Sequence, residues 1–318
     1  MTEPSQRPGR LAIGVVGAGK VGAVLGALLR EAGHEVVAAS GSSEASIDRM
    51  EALLPGVPRK DPDEVVRASD LVLLTVPDDA IEQLVAGLAT LGAWRAGQLV
   101  VHCAGRHGTG ILADAAAAGA IPLAIHPAMT FTGTSLDRAR LRDAAFAVTA
   151  SAPVLPIAQA LAVEMGGEPV VVAASDRAAY HAALVHGANH VVTAVAQASA
   201  VLARIGFENP GRVLGPLTHA SVDGALGDAP GAVTTLTGPV VRGDSGTVAA
   251  HLAALAGTPE TLVAYRAMAQ ATADLAFAGG RLGPDGYAAV IAALGLDPED
   301  LGGAPDEGSD RGPAQEDR

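Results

Sequence analysis

The chain has 318 residues and a formal net charge of −13, from 34 acidic and 21 basic side chains. That length suits two domains with a substantial core, and the acidic balance without a lysine- or arginine-rich block excludes nucleic acid and anionic membranes as natural partners. One cysteine, Cys103, excludes an internal disulfide and a cysteine-based zinc site, and the lack of a leader-like segment or an apolar run of about 20 residues leads us to expect a cytoplasmic protein.

Residues 1–9 are polar and proline-bearing and read as a disordered tail. From Leu11 to Ser43 the sequence LAIGVVGAGKVGAVLGALLREAGHEVVAASGSS spells a strand, a glycine turn, an amphipathic helix and a second strand. The turn GAGKVG spaces Gly17, Gly19 and Gly22 as in the Rossmann fingerprint. Gly17 permits the tight turn, Gly19 leaves room for a pyrophosphate, and Gly22 lets the helix approach the sheet. With Ala18, Lys20 and Val21 these residues form the expected phosphate cradle at a helix N-terminus. The second strand, Glu35 to Ala39, runs into Ser40, Gly41, Ser42 and Ser43, with no carboxylate to take a ribose 2′-hydroxyl. Hydroxyls and backbone N–H groups there suit a 2′-phosphate, with Arg49 one countercharge, so NADP is expected; an ordinary polar loop is the alternative.

Strands and helices then alternate. Leu71 to Val76 is a continuous apolar run, read as a buried parallel strand whose carboxyl end, Val76, Pro77 and Asp79, meets the cofactor. Helix Ile81 to Leu91, strand Gln98 to His102, helix Ile111 to Ala118 and strands Pro122 to Ile125 and Ala145 to Thr149 follow. Helix Ile157 to Met165 and strand Val170 to Val172 complete the first domain, expected over residues 10–174. After the 98–102 strand, Cys103, Ala104 and Gly105 can bring backbone against the nicotinamide, with His102 ordering the loop.

Beyond Ser175, a candidate N-cap, only helical periodicity appears: Arg177 to Ile205, Pro210 to Leu226, Gly246 to Ala256, Pro259 to Ala278 and Pro284 to Leu294. The expected fold is therefore a Rossmann domain, doubly wound around a mostly parallel sheet, followed by an all-helical domain over 175–300 and a disordered tail from 301 to 318. Several dehydrogenase groups share that arrangement, and fold alone does not choose among them.

The chain has two lysines, Lys20 in the glycine turn and Lys60 in a proline-flanked loop. Conventional 3-hydroxyacid dehydrogenases and ketopantoate reductases place a lysine one turn before an asparagine; here Asn189 is preceded by Val185. Histidine is the replacement proton donor, since it titrates near operating pH. His126, in LAIHPAMTF after a strand, resembles the His-Pro element of prephenate dehydrogenases; a loop-capping histidine is the alternative. His181 and Asn189, eight residues apart, can share a helix face as donor and amide. His186 and His190 have the spacing of a metal pair without the glutamate of HExxH, and no metal is expected. In LTGPVVRGDSGTVAAHL, Arg242 and Asp244 form a loop suited to a substrate carboxylate, or a brace of that loop.

The succession GAGKVG, HCAG, HPAMTF, the His181–Asn189 helix and GPVVRGD resembles the Rossmann-like proteins with a helical C-terminal domain of unknown function, the DUF2520 type, related to the ketopantoate reductase and 6-phosphogluconate dehydrogenase superfamily. The resemblance implies NADP binding and, for one branch, an alternative ketopantoate reductase activity. The expected chemistry is hydride transfer from NADPH to a small 2-oxo acid. In that chemistry His126 or His181 protonates the oxygen, Asn189 orients it, and Arg242 and Asp244 bind the carboxylate. Reduction of a cyclic imine, oxidation of a prephenate-like ring, and NADP sensing without turnover stand as alternatives. Alanine-rich apolar helices suggest a homodimer through the second domain.

Overall fold

The computed structural model describes residues 9–142, 144–227 and 232–296. The tails expected at 1–9 and 301–318 lie, apart from Gly9, outside the described residues. The chain divides into two compact units, Met1–Gly187 and Ala188–Arg318.

The first unit runs β1 (Ala12–Val16), α1 (Lys20–Glu31), β2 (Glu35–Ser40), α2 (Glu44–Leu53), α3 (Pro62–Arg67), β3 (Leu71–Leu74), α4 (Ile81–Thr90), β4 (Leu99–His102), α5 (Ala113–Ala117), β5 (Ile121–Pro127), α6 (Leu136–Arg140), β6 (Ala145–Thr149), α7 (Leu155–Glu164), β7 (Glu168–Val171) and α8 (Arg177–Leu184). The strands form one sheet in the order β2-β1-β3-β4-β5-β6-β7. Every neighbouring pair is parallel except β5 and β6, which run antiparallel with His126 opposite Ala147.

The doubly wound character is visible in β3, whose four residues are all buried. Leu71 and Leu73 pack with Ile13, Val15 and Leu25 on one face, while Val72 and Leu74 pack with Val85 and Trp94 on the other. A strand covered on both faces must be apolar at every position, because alternate side chains enter opposite cores. Little apolar periodicity marks α2, α3 and α6, which are short and polar. α2 starts at Ser43 and Ser46, whose hydroxyls each accept the other's backbone N–H, and α3 carries Pro62 in its first turn.

The boundary after Gly187 lies beyond the division expected after residue 174, because α8 is tied into the sheet through the buried Arg177. Ser175 does not cap α8. A 3-10 turn over Ala174–Asp176 leads into the helix, Asp176 occupies the cap position, and the Ser175 hydroxyl donates to Asp176 Oδ1 at 2.9 Å. Nor is 177–205 one continuous α-helix. A π-turn spans Val185–Asn189, so the α-helical spacing used to place His181 and Asn189 on one face does not hold across it.

The second unit consists of α9 (His190–Arg204), α10 (Pro210–Leu226), a 3-10 turn (Ala232–Thr235), α11 (Ser245–Ala254), α12 (Pro259–Ala278) and α13 (Pro284–Ala293). Its core gathers Val241, Val248, Ala273, Ala276, Val290 and Ile291. Proline stands in the first turn of α10, α12 and α13, where no backbone donor is lost. Among the described residues no helix is long and apolar enough to cross a membrane.

Candidate active site

The glycine turn between β1 and α1 has the geometry its sequence requires. Gly17 has φ +93° and donates its N–H to Ser40 Oγ at 3.2 Å, while Ala18 N–H donates to the Ser40 carbonyl at 2.7 Å. A Cβ at Gly22 would stand 2.2 Å from Thr75 Oγ1 and 2.4 Å from the Gly17 carbonyl, so only glycine lets α1 approach β3. Gly19 is the N-cap of α1 and brings no side chain to it, and no acidic residue stands in the first turn, which holds Lys20, Val21 and Gly22. The helix therefore presents uncapped N–H groups, the positive end of its dipole, to whatever lies before it.

At the end of β2 a cavity of about 580 Å³ is lined by Gly17, Ser40, Ser42, Val76, Arg59 and Lys60, among others. No motif in the sequence marks Arg59 and Lys60 for this cavity. They reach this edge because the chain after α2 returns alongside β2. Ala39 bridges to Arg59, Ala39 N–H donates to the Pro58 carbonyl at 3.1 Å, and Lys60 N–H donates to the Ala39 carbonyl at 3.0 Å. Arg49, the cation expected here, is not among the residues lining this cavity and packs with Lys20 against Gly133, where a Cβ would stand 2.8 Å from its Nε and 2.9 Å from Lys20 Cγ. Ser43 is engaged as the cap of α2. Pro77 and Asp79 are exposed after β3, at the 3-10 turn Asp78–Ala80.

Beyond β4 the loop is fixed by His102, which is fully buried. His102 Nδ1 accepts the Ala104 N–H at 3.2 Å and Nε2 lies 3.0 Å from the Gly108 carbonyl, so the ring carries its proton on Nε2. Burial, with the Arg177 charge, lowers its pKa to about 4. This is the loop-ordering role expected from sequence. The Cys103 thiol is pushed up to about 12 by burial, which leaves it neutral and a poor nucleophile.

Gly105 forms the floor of a histidine pair. A Cβ there would stand 2.5 Å from His181 Cδ2 and 3.1 Å from His126 Nε2. The two imidazoles meet edge to face with centroids 6.1 Å apart, and His126 Nδ1 lies 3.0 Å from the Tyr180 hydroxyl. His126, from the end of β5, and His181, from α8, are thus brought together across 55 positions of sequence. The expectation that His126 titrates near operating pH is corrected. Burial, with the charges of Arg177 and His181, lowers it to about 4, so at neutral pH it is an uncharged imidazole.

Arg177 is the largest fully buried side chain and was not singled out from sequence. Among the described residues no carboxylate meets it. Its Nε donates to Thr149 Oγ1 at 2.8 Å and its Nη2 to the carbonyls of Ala124 and Ala147 at 2.9 and 3.0 Å; Nη1 reaches the Ala104 and Gly105 carbonyls at 3.3 and 3.5 Å. Carbonyl dipoles from β5, β6 and the loop after β4 thus converge on one guanidinium, which fills its donor set.

Asn189, Arg242 and Asp244 belong to the second unit. Asn189 closes the π-turn with an exposed side chain, and Arg242 is exposed. Asp244 caps α11, accepting the Thr247 N–H and hydroxyl at 3.0 and 2.7 Å, which fixes the loop that carries Arg242. Among the described residues no group of three or more His, Cys, Asp or Glu side chains is placed to hold a metal ion.

Residues 1–127 match the Rossmann-like domain family, and residues 144–272 match the domain of unknown function DUF2520. The chain joins a Rossmann-like domain to a DUF2520 domain. The DUF2520 segment begins at β6, so it supplies the antiparallel edge of the sheet together with Arg177, Tyr180 and His181, while the Rossmann-like segment supplies Gly105 and His126.

No curated protein matches the chain by sequence. Solved structures match it along most of its length. A Bacteroides fragilis protein, BF3122, provisionally assigned as an NADP oxidoreductase, is 20% identical with a TM-score of 0.69, covering 83% of this chain and 98% of its own. A reductive aminase from Aspergillus terreus, solved with NADPH and ethyl-5-oxohexanoate, is 16% identical with a TM-score of 0.63, covering 89% and 99%. An imine reductase from Myxococcus stipitatus, solved with NADP+, is 18% identical with a TM-score of 0.59, covering 89% and 99%. At these identities the likeness is one of fold.

Proposed function

We propose that this Rossmann-like/DUF2520 protein is an NADPH-dependent reductase of a small carbonyl compound bearing a carboxylate, with ketopantoate as the substrate to test. The observation that carries the reading is the His126–His181 pair over Gly105, on the same sheet edge as the uncapped glycine turn. The residues fit a 2′-phosphorylated dinucleotide. Uncapped N–H groups of α1 suit the pyrophosphate, and Arg59 and Lys60 beside Ser40 and Ser42 suit the 2′-phosphate. Bound NADPH supplies the hydride.

The protein's own part is to stabilise charge at the substrate oxygen. Neutral His126 offers a ring N–H to that oxygen, and an uncharged donor suits a carbonyl whose charge appears only in the transition state. The Arg177 cation, which disfavours imidazolium at His126, favours negative charge developing nearby. His181 delivers the proton.

A second reading, reduction of a C=N bond, is favoured by the fold shared with the imine reductase and the reductive aminase. Purified protein with NADPH, assayed by loss of nicotinamide absorbance on ketopantoate, other 2-oxo acids and cyclic imines, separates the two. Turnover of the imines alone overturns the carbonyl reading. Tight NADPH binding with no turnover of any of them leaves the sensor alternative.

We propose further that the protein pairs with a second copy through α9 and α10. Neither helix has a buried residue, and the groove between them, about 410 Å³, is lined by Val191, Val195, Leu214, Leu217 and Val222. These residues carry no charge, so two copies at −13 each can meet there without direct repulsion. Sedimentation equilibrium is expected to give a dimer, and Leu217→Glu a monomer.

A further inference from the structure

His126 has two ring nitrogens in different surroundings. Nε2 is directed toward Gly105, 3.1 Å from where a Cβ there would stand, and Nδ1 faces Tyr180. The Tyr180 ring stands at 85° to the imidazole with centroids 5.7 Å apart, and the phenol oxygen lies 3.0 Å from Nδ1. Two arrangements fit that distance. If Nδ1–H donates, the phenol proton needs another acceptor, and Nε2 turns a bare lone pair to the space over Gly105. If the phenol donates, its proton is used and Nε2 carries the ring proton into that space. Among the described residues the Tyr180 hydroxyl has His126 as its hydrogen-bond partner. Arg177 acts on both rings, and Tyr180, raised by burial, keeps its hydroxyl proton.

We infer that Tyr180 is a positioning residue: its hydroxyl donates to His126 Nδ1 and locks the imidazole in the Nε2–H tautomer, so that the hydrogen-bond donor faces the reacting oxygen over Gly105. The inference rests on the reductase reading for its purpose, though not for its geometry. Tyr180 and Arg177 come from one turn of α8, so a single helix sets both the tautomer of His126 and the charge beneath it.

Nitrogen-15 NMR of the imidazoles in the free protein tests the tautomer without substrate. The expected His126 signature is a pyridine-like Nδ1 and a protonated Nε2 near neutral pH; a protonated Nδ1 overturns the inference. In Tyr180→Phe, which keeps the ring packing, the Nε2–H preference is expected to fall to a mixture of tautomers. A Phe variant that holds the wild-type tautomer also overturns the inference. Where turnover is found, this variant is expected to lose at least tenfold in kcat with KM for NADPH unchanged, and an unchanged kcat removes the catalytic purpose. Absence of turnover with a locked tautomer defeats the reductase reading alone.

Discussion

Arg177 Nη2 donates to the carbonyl of Ala124 at 2.9 Å, tying the first turn of α8 to β5 two residues before His126. Four further donor contacts from the same guanidinium reach Thr149, Ala104, Gly105 and Ala147. Arg177→Met removes the charge and strands these acceptors in the interior. Hydrogen bonds to charged groups are worth roughly 1.5–3 kcal/mol each, and buried acceptors left unpaired add to the loss. A destabilisation of about 3 kcal/mol or more is expected in urea unfolding. His126 should also titrate higher in this variant, since a nearby cation no longer opposes its imidazolium.

The buried histidines set an acid limit. His102 and His126 titrate at about 4 in the folded protein against 6.5 for an unperturbed imidazole. Between these values the unfolded chain binds protons that the folded chain refuses, so stability rises with pH through this window. It is fully present above about pH 6.5 and is lost as pH falls toward 4, by on the order of 3 kcal/mol from His102 alone. Urea midpoints at pH 7.5, 6 and 5 should decline in that order, and His102→Asn should flatten the decline.

Cofactor choice is expected to rest on Arg59 and Lys60. Replacing both with alanine should weaken NADPH binding at least tenfold in fluorescence titration and leave NADH nearly unaffected, because only the 2′-phosphate needs their charge. Equal losses for both nucleotides would move the 2′-phosphate away from the β2 edge.

Gly105→Ala is a steric probe of the histidine pair. Its Cβ would meet His181 Cδ2 at 2.5 Å and His126 Nε2 at 3.1 Å, so the rings must part. Turnover is expected to fall at least tenfold while the far-ultraviolet circular dichroism stays unchanged. Retained turnover would separate the pair from catalysis.

Much of the sheet is legible in the sequence because a doubly covered strand such as Leu71–Leu74 must be apolar throughout. The glycine turn is legible because its backbone tolerates few other residues. The rest of the site is set by tertiary contact. Tyr180 lies 54 residues from the imidazole it touches, and nothing about a tyrosine at a helical position marks it as a partner for β5. Arg177 reads as the charged first residue of a helix, a place where arginine is usually solvated, and only the convergence of strand ends buries it. Arg59 acquires its position from a single bridge to Ala39. The π-turn at Val185–Asn189 defeats helical counting, because a turn of that kind leaves no period in the sequence.

The clamp of backbone carbonyls around one guanidinium also bears on where this chain can be trimmed. Trimming after Val172 would keep every strand of the sheet and remove the cation that holds the carbonyls of Ala104, Ala124 and Ala147. Such a fragment would leave those carbonyls without their charged donor. A self-sufficient fragment of the first unit is therefore expected to reach through α8, residues 177–184, which belong to that unit by contact.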